Sequence, residues 1–324
     1  MNAIILNVES GDLEQKFLLA VKSIRLLHQN DTDIYAVNPR ANKSLSSSTL
    51  ELIDKLQITL IQKNINEEHR FYAFANKVYT TSYIESKYGF KYEYLIYLDS
   101  DTLLLQPIER IINDGSFEIA LKPDEDFYEY GQRLEVEESW IWKWIFDGLQ
   151  IVDNQRWTVL NSIRNNEIYA YFNGGLVISK ASRGFFNKWK KHFITLTQAK
   201  EFFKLSGRDL FFVEQMILSA CVMKEFDKQE VKILNNSCNY CLNHHNKLYH
   251  RCESLSDVKL LHYHNMFYEM KWLDQIDLDK IQYEWLLNEL PLKKYQKTFK
   301  KKSLEIFQYQ LYKLKHRYGL KYLI

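Results

Sequence analysis

Short apolar runs alternate with amphipathic stretches along the first hundred residues of the chain. The apolar runs predict strands at residues 3–8, 33–37, 58–61 and 94–98. Apolar side chains at helical spacing predict helices around residues 17–27, at 50–56 and at 71–88. This repeated order of strand and helix predicts an α/β fold, with a Rossmann-like, mostly parallel sheet flanked by helices.

The second half of the chain continues the same two patterns less regularly. Its predicted strands and helices are residues 117–121, 169–178 and 259–262, and residues 185–196 and 209–222, respectively. The strand at 169–178 is interrupted by Asn173, Gly174 and Gly175. Glycine inside an apolar strand indicates that a ligand or another strand approaches the backbone closely.

Residues 124–165 differ from the rest of the chain in composition, because acidic side chains are followed by Trp140, Trp142 and Trp144. We interpret them as an inserted helical or lid segment within a catalytic domain of residues 1–275. The tryptophans either stack on a sugar or pack the insertion. Packing is favoured, since large aromatic side chains are mostly buried.

Two carboxylates follow the strand at 94–98, at Asp99 and Asp101. Residues two apart in an extended chain point to the same side, so the two acids stand together at the carboxyl end of a buried strand. Like charges there repel each other unless a cation lies between them. Oxygen ligands suit a hard divalent cation, and ligands bind at this edge of α/β sheets.

Composition narrows the class of protein. The chain has 324 residues, of which 46% are hydrophobic, and a formal net charge of +2. The hydrophobic fraction is sufficient for a full core, and the small net charge does not predict a nucleic-acid partner. The start of the chain lacks a signal-peptide pattern, and no apolar stretch approaches the roughly 20 residues of a membrane span. We therefore expect a cytoplasmic protein with reduced thiols.

Residues 276–324 form a separate, helical, basic and aromatic tail in this prediction. A basic amphipathic helix either contacts the anionic inner face of a membrane or closes the domain as a solvated helix. The pattern does not choose between these two alternatives.

A second group of side chains has the composition of a metal site. Its members are Cys238, Cys241, His244, His245, His250 and Cys252. Cys-x-x-Cys with nearby histidines is typical of structural zinc sites, but only one such pair is present and its spacing is not a standard one. Small buried thiols are the favoured interpretation.

Taken together, Tyr-Leu-Asp-Ser-Asp, Phe-Asn-Gly-Gly, Glu-Gln on a helix and a late Leu-Leu-His resemble the family 8 glycosyltransferases of the GT-A fold. That family includes bacterial lipooligosaccharide galactosyltransferases and glycogenin. The resemblance covers roughly residues 3–273. It implies a hexosyltransferase that uses Mn²⁺ or Mg²⁺, a nucleotide-sugar donor (first of all a UDP-sugar) and a glycan or lipid-linked acceptor.

The resemblance also assigns roles to individual residues. It implies that Asp99, Asp101 and His262 bind the metal ion. The residues that it implies for donor binding are Asn7, Val8, Glu9, Lys77, Asp99, Ser100, Asp101, Gly174, His264 and Lys271. Glu214, Gln215 and Asn173 match residues that line the sugar and the transferring carbon. The sequence departs from the family at Glu214, where Asp is usual, and at Lys271-Trp272, which lacks the Pro of the family's Lys-Pro-Trp.

The implied chemistry follows from charge. Negative charge grows on the departing nucleoside diphosphate, where the metal ion and Lys271 would stabilise it. Retaining transfer then needs no strong base, and Glu214 or Gln215 would stabilise the cationic sugar or orient the acceptor. Inverting transfer would need a carboxylate base, either Glu214 or an acid in residues 124–138. Retention is favoured on the resemblance alone.

Two other classes of function remain open from the sequence. A protein of this fold could hold a nucleotide-sugar without turnover, which the altered Glu214 would suit. Alternatively, the basic tail could dominate, in a protein that binds membrane or nucleic-acid surfaces.

Overall fold

The structure is a computed structural model of the chain. It describes residues 1–28, 32–40, 44–112, 116–125, 130–131, 133–134, 136–245, 257–276, 278–294 and 307–314. The strands of these residues are, in chain order, β1 (Asn2–Asn7), β2 (Asp33–Asn38), β3 (Thr59–Gln62), β4 (Tyr94–Leu98), β5 (Thr102–Leu104), β6 (Ile119–Pro123), β7 (Thr158–Leu160), β8 (Glu167–Tyr169), β9 (Phe172–Lys180), β10 (Val231–Ile233), β11 (Tyr240–Cys241) and β12 (Leu260–His262). The helices are α1 (Asp12–Leu27), α2 (Ser47–Lys55), α3 (Ala75–Tyr88), α4 (Glu109–Ile112), α5 (Trp140–Leu149), α6 (Phe185–Thr197), α7 (Gly207–Glu225), α8 (Lys280–Glu289) and a C-terminal helix at residues 307–314.

A seven-stranded sheet forms the centre of the fold, in the order β10-β6-β9-β4-β1-β2-β3. Strands β4, β1, β2 and β3 are mutually parallel, and β9 runs antiparallel to both of its neighbours. The predicted α/β fold with a mostly parallel sheet is therefore confirmed. The carboxyl ends of β1 and β4 open on the same edge, because these two strands pair in parallel.

The two faces of the sheet are covered by different helices, as the alternation of side chains along β1 requires. Ile5 belongs to an apolar cluster on one face with residues of α3, α5, α6 and α7. Ile4 and Leu6 belong to a cluster on the other face with residues of α1. Neighbouring residues of a strand point to opposite faces, so both layers can bury a strand made almost wholly of apolar residues.

Strand β9 begins later than the sequence predicts. The single strand predicted at 169–178 is split into β8, which ends at Tyr169, and β9, which begins at Phe172. Between the two, the Asp124 amide donates to the carbonyl of Tyr171, and this bond directs the chain into the sheet. Strand β10, at the sheet edge, was not predicted, because three residues are too short for a period to be recognised.

A second, smaller sheet is made by β11, β12 and β5, in that order. Strand β12 runs antiparallel to β5, with His262 opposite Thr102. In the sequence, residues 102–105 are only a return of apolar character after the acidic pair. Their role as a strand depends on a partner about 160 positions away, which no local pattern shows.

The inserted segment contains the predicted helix, as α5, and also β7, which the pattern did not predict and which pairs with β8 just after the segment. Trp142 and Trp144 are buried in the core, whereas Trp140 is exposed. The Trp142 indole donates to the carbonyl of Tyr130 at 2.6 Å. The favoured interpretation, that the tryptophans pack the insertion, therefore holds for two of the three.

The C-terminal helix packs back onto the domain through Tyr312, which is buried. Its hydroxyl donates to the carbonyl of Thr197 at 3.0 Å and lies 3.0 Å from His69 Nε2. Six of the ten lysines of residues 276–324 lie outside the described residues. Among the described helices, none combines the length and the apolar character needed to cross a bilayer.

Candidate active site

A cleft of about 850 Å³ opens at the carboxyl ends of β1 and β4. It brings together eleven of the residues that the sequence singled out. These are Asn7, Glu9, Lys77, Asp99, Ser100, Asp101, Asn173, Glu214, Gln215, His262 and His264. The residues come from strands, turns and helices far apart in the chain. Gly174 lies directly behind the lining, where its carbonyl accepts from Lys77 at 3.2 Å.

The acidic pair and the late histidine meet at one point of this cleft. Each of Asp99, Asp101 and His262 offers a ligand atom, and these atoms all lie within 4.8 Å of one another. His262 Nε2 is 3.2 Å from Asp101 Oδ1. The antiparallel pairing of β12 with β5 accounts for this contact, because it sets His262 beside Thr102 and hence beside Asp101.

The backbone beside His262 leaves room for its ring. A Cβ atom on Gly175 would lie 2.6 Å from Cε1 and 2.7 Å from Nδ1 of His262, which no real side chain allows. Two carboxylates and one imidazole in such a cradle are a donor set that suits Mn²⁺ or Mg²⁺. The residues therefore fit the implied metal ion.

Asp101 is held ionised by the positive groups around it. Burial raises the pKa of this carboxyl, but the charges of His262, His264 and Lys16 lower the pKa by more, so that it lies well below its usual range. An acid that stays ionised at every physiological pH is ready to bind a cation without first losing a proton.

Lys77 and Glu214 form a buried pair on the other side of Asp99. Lys77 Nζ is 3.1 Å from Asp99 and 3.7 Å from Glu214 Oε2. Burial raises the pKa of Glu214 to about 7; Lys77 opposes this shift and the charge of Asp99 adds to it. Burial lowers the pKa of Lys77, but Asp99 and Glu214 raise it by more, which keeps the ammonium charged.

The amides of Asn173 and Gln215 are fixed by one acid, Asp124. Gln215 Nε2 donates to Asp124 Oδ2 at 2.8 Å, and Asn173 Nδ2 donates to the same oxygen at 3.3 Å. Gln215 Oε1 also accepts from the Gly174 amide at 3.1 Å. Asp124 is one of the acids of residues 124–138 that the sequence analysis named for inversion, and here it holds two amides in place.

Lys16 is a cleft residue that the sequence analysis missed. It lies on α1, and its side chain is only 8% exposed. Nζ is 3.5 Å from Asp101 Oδ2 and donates to Asn265 Oδ1 at 3.0 Å. The available signal was a lysine next to Phe17 in the buried stripe of α1, where a solvated side chain would be unusual.

Two predicted residues are not brought to the cleft. Lys271 lies in the 3₁₀ helix Met270–Gln275, and its side chain is 63% exposed. Its ammonium group is 2.6 Å from the carboxylate of Glu269, the residue just before that helix. Val8 is buried in the apolar core, and only its neighbours Asn7 and Glu9 line the cleft. The role of Lys271 stays a prediction.

The part of the cleft formed by Asn7, Glu9 and Ser100 is ordered by hydrogen bonds. Asn7 accepts from Thr80 at 2.7 Å and donates to the Tyr97 hydroxyl at 3.2 Å. The Glu9 carboxylate is paired with Arg40 in a buried, two-pronged contact. Ser100 donates to the Asn7 carbonyl. This bond connects the acidic turn, Asp99-Ser100-Asp101, to the end of β1.

The reversed strand inside a parallel sheet and the acidic turn at the end of β4 define a glycosyltransferase of the GT-A type. Residues 4–227 match the family model of the Rhodobacterales glycosyltransferase domain, and the chain belongs to that family. The matched residues include the acidic turn and α7 and end before His262. No curated protein matches the chain.

Solved structures of other glycosyltransferases share the fold. The WbbM bifunctional glycosyltransferase is 13% identical with a TM-score of 0.53, and the match covers 95% of this chain and 51% of WbbM. The chain thus spans about half the length of WbbM. The glycosyltransferase GlyE of Streptococcus pneumoniae TIGR4 is 14% identical with a TM-score of 0.52, over 99% of this chain and 66% of GlyE. The family match confirms that the chain is a glycosyltransferase, and these structures confirm the fold.

Proposed function

We propose that this chain transfers a hexose from a nucleotide-diphosphate sugar, in the first place a UDP-sugar, to a hydroxyl of a glycan or lipid-linked acceptor. The observation that carries the proposal is the convergence of Asp99, Asp101 and His262 within 4.8 Å of one another in the cleft of a GT-A-type fold. A donor with a diphosphate and a sugar suits a cleft that offers ligands for a cation beside two lysines.

Asp99, Asp101 and His262 would hold the divalent ion, with Mn²⁺ or Mg²⁺ as the ions that suit the donor set. A bound ion of this kind supplies positive charge to the diphosphate as it leaves. Gly175 keeps His262 in position, and the neighbouring positive charges keep Asp101 ionised.

Lys16 and Lys77 place two further ammonium groups on either side of the acidic pair. Lys16 is 3.5 Å from Asp101, and Lys77 is 3.1 Å from Asp99. Both are buried, so their attraction for a diphosphate is weakly screened by solvent. We propose that both lysines contact the diphosphate, whereas Lys271 would need its segment to move to do so.

Glu214 and Gln215 face the place where the sugar would lie. The Glu214 carboxylate is paired with Lys77 at 3.7 Å, and the Gln215 amide is fixed at both ends by Asp124 and Gly174. An amide that is fixed in this way orients a hydroxyl and does not take a proton. These contacts support retention, in which a carboxylate stabilises the cationic sugar and no strong base is needed.

Three phenylalanine residues line the cleft, Phe74, Phe211 and Phe212, and they suit an acceptor sugar. Phe211 is 53% exposed, and its ring lies 4.6 Å from Phe74 and 4.8 Å from Phe212, centre to centre. Exposed aromatic rings beside a polar site are favourable surfaces for the apolar faces of sugars. We propose that the acceptor contacts these rings, whereas Asn7 and Glu9 would face the nucleotide base.

The proposal is tested with a panel of UDP- and GDP-sugars, with Mn²⁺, Mg²⁺ or chelator, by following nucleotide release. We expect release from at least one UDP-sugar that depends on the added ion. Asp101→Asn should reduce it by at least about 100-fold, because a charged ligand is lost. The matched control is Asp153→Asn, at a side chain that is 94% exposed, and its rate should not change.

Two results would contradict the proposal. One is full activity in Asp101→Asn with its thermal unfolding unchanged. The other is tight UDP binding in calorimetry without release from any donor, which would favour the nucleotide-sugar-binding protein considered from the sequence.

A further inference from the structure

Cys241 lies beside the metal ligands and not beside Cys238. The thiol of Cys241 and one ring nitrogen each of His262 and His264 form a second potential ligand set, whose atoms all lie within 4.8 Å of one another. Cys241 and His262 are buried and His264 is half-buried. Cys238 packs in a different apolar cluster from Cys241, so the Cys-x-x-Cys motif is not assembled as a pair of ligands.

Backbone pairing fixes this second set. Strands β11 and β12 run parallel, with Cys241 as the direct partner of His262. His264 follows in a left-handed conformation with φ of 51°, and its ring lies 3.9 Å from that of His262, centre to centre. Nδ1 of the buried His262 ring has no hydrogen-bond partner, which is a cost that a purely structural histidine would avoid.

We propose that Cys241, His262 and His264 form a binding site for Zn²⁺ or another thiophilic ion, overlapping the oxygen-rich set of Asp99, Asp101 and His262. One thiolate and two imidazoles are ligands that zinc prefers, and three protein ligands leave a position for water or substrate. The thiol proton passes to solvent when the ion binds, because only the thiolate is a ligand.

The two ligand sets share the His262 ring, so they compete wherever both ions bind through Nε2. One edge of the His262 ring faces Gly175, and Nε2 faces Asp101 at 3.2 Å. A thiophilic ion that takes Nε2 leaves the two carboxylates without their third ligand. This consequence rests on the proposed function, whereas binding of the thiophilic ion does not require transfer activity.

The test uses Co²⁺ as a spectroscopic substitute for zinc on the chelator-treated full chain. We expect tetrahedral visible bands and a near-ultraviolet thiolate-to-cobalt charge-transfer band. Cys241→Ser should abolish the charge-transfer band and weaken Zn²⁺ binding in calorimetry by at least about tenfold. His264→Ala should also weaken Zn²⁺ binding, since His264 belongs only to this set. Asp99→Asn should keep the band, because Asp99 belongs only to the oxygen-rich set.

Cys238→Ser is the matched control, at a second buried free thiol three positions away. It should bind Co²⁺ and Zn²⁺ like the unmodified chain. The inference is overturned if the unmodified chain shows no charge-transfer band, if Cys241→Ser retains it, or if Cys238→Ser loses it. Circular dichroism on each variant excludes misfolding as the cause of a lost band. If the unmodified chain shows the charge-transfer band but releases no nucleotide from any donor, only the proposed function is contradicted.

Discussion

Lys16 Nζ lies 3.5 Å from Asp101 Oδ2, although the two residues are 85 positions apart. The contact places a buried ammonium beside Asp101, while the Lys77 ammonium lies 3.1 Å from Asp99. Each carboxylate of the acidic pair is therefore in contact with a lysine. Under the proposed function, both ammonium groups would contact the diphosphate that the bound ion holds.

Replacement of this charge should weaken donor binding. In Lys16→Met, we expect kcat/KM for the donor to fall by about 10- to 100-fold, the equivalent of one charge-assisted hydrogen bond of about 1.5–3 kcal/mol. Lys271→Met is the matched comparison, at a lysine that is 63% exposed and outside the cleft. Its effect should be under about twofold. A large loss in Lys271→Met with none in Lys16→Met would instead support the role that the resemblance implies for Lys271.

The pH profile of the free enzyme should report Glu214. Burial raises the pKa of this carboxyl to about 7, and the charged form pairs with Lys77. If the carboxylate is the active form, kcat/KM falls as the pH drops below about 7 and is constant above it. Glu214→Gln should have a lower kcat/KM, and its profile should not show this acid limb, the fall in kcat/KM below about pH 7.

Glu225→Gln is the control for that profile, at a glutamate on the same helix but outside the cleft. Its hydrogen bond with His192, together with Lys188, lowers its pKa to about 2, so it stays ionised through the measured range. The limb near pH 7 should persist in this variant. A limb that persists in Glu214→Gln as well would show that another group titrates.

A methyl group at residue 175 should disturb the metal ligands without unfolding the protein. A Cβ in Gly175→Ala would lie 2.6 Å from the His262 ring, so the ring must shift from its position beside Asp101. We expect at least about tenfold weaker Mn²⁺ binding, measured by calorimetry or paramagnetic relaxation. Gly89→Ala introduces the same methyl group at 3.6 Å from Glu85, an ordinary contact, and should bind Mn²⁺ normally. Equal affinities in the two variants would refute the role of Gly175.

The C-terminal helix should contribute measurably to stability. The Tyr312 ring is buried, 4.8 Å from that of Phe71, centre to centre. Tyr312→Ala should lower the free energy of unfolding by about 3 kcal/mol, as for other large aromatic truncations in a core. Leu314→Ala, at an exposed position of the same helix, should change it by less than about 0.5 kcal/mol. Urea unfolding followed by fluorescence measures both, and equal effects would mean that the helix is not docked in solution.

The split of the predicted strand at 169–178 illustrates a limit of pattern analysis. Apolar character continues through residues 169–172, so the sequence has no break there. The break at Ala170 and Tyr171 arises from hydrogen bonds to Trp157 and Asp124, which belong to other parts of the chain. Local periodicity describes which residues are buried, but it does not show which backbone groups pair.

The sequence by itself was enough for the order of strands and helices from β1 to β4, the class of fold and the acidic turn after β4, because each follows from apolar periodicity within a few residues. It also singled out His262, through a resemblance in motifs. The tertiary structure decided which side chains meet: it set His262 and Cys241 beside each other, brought Lys16 to Asp101 and left Lys271 outside. These contacts join residues tens to hundreds of positions apart, and such pairings depend on how whole layers pack, which no local pattern specifies.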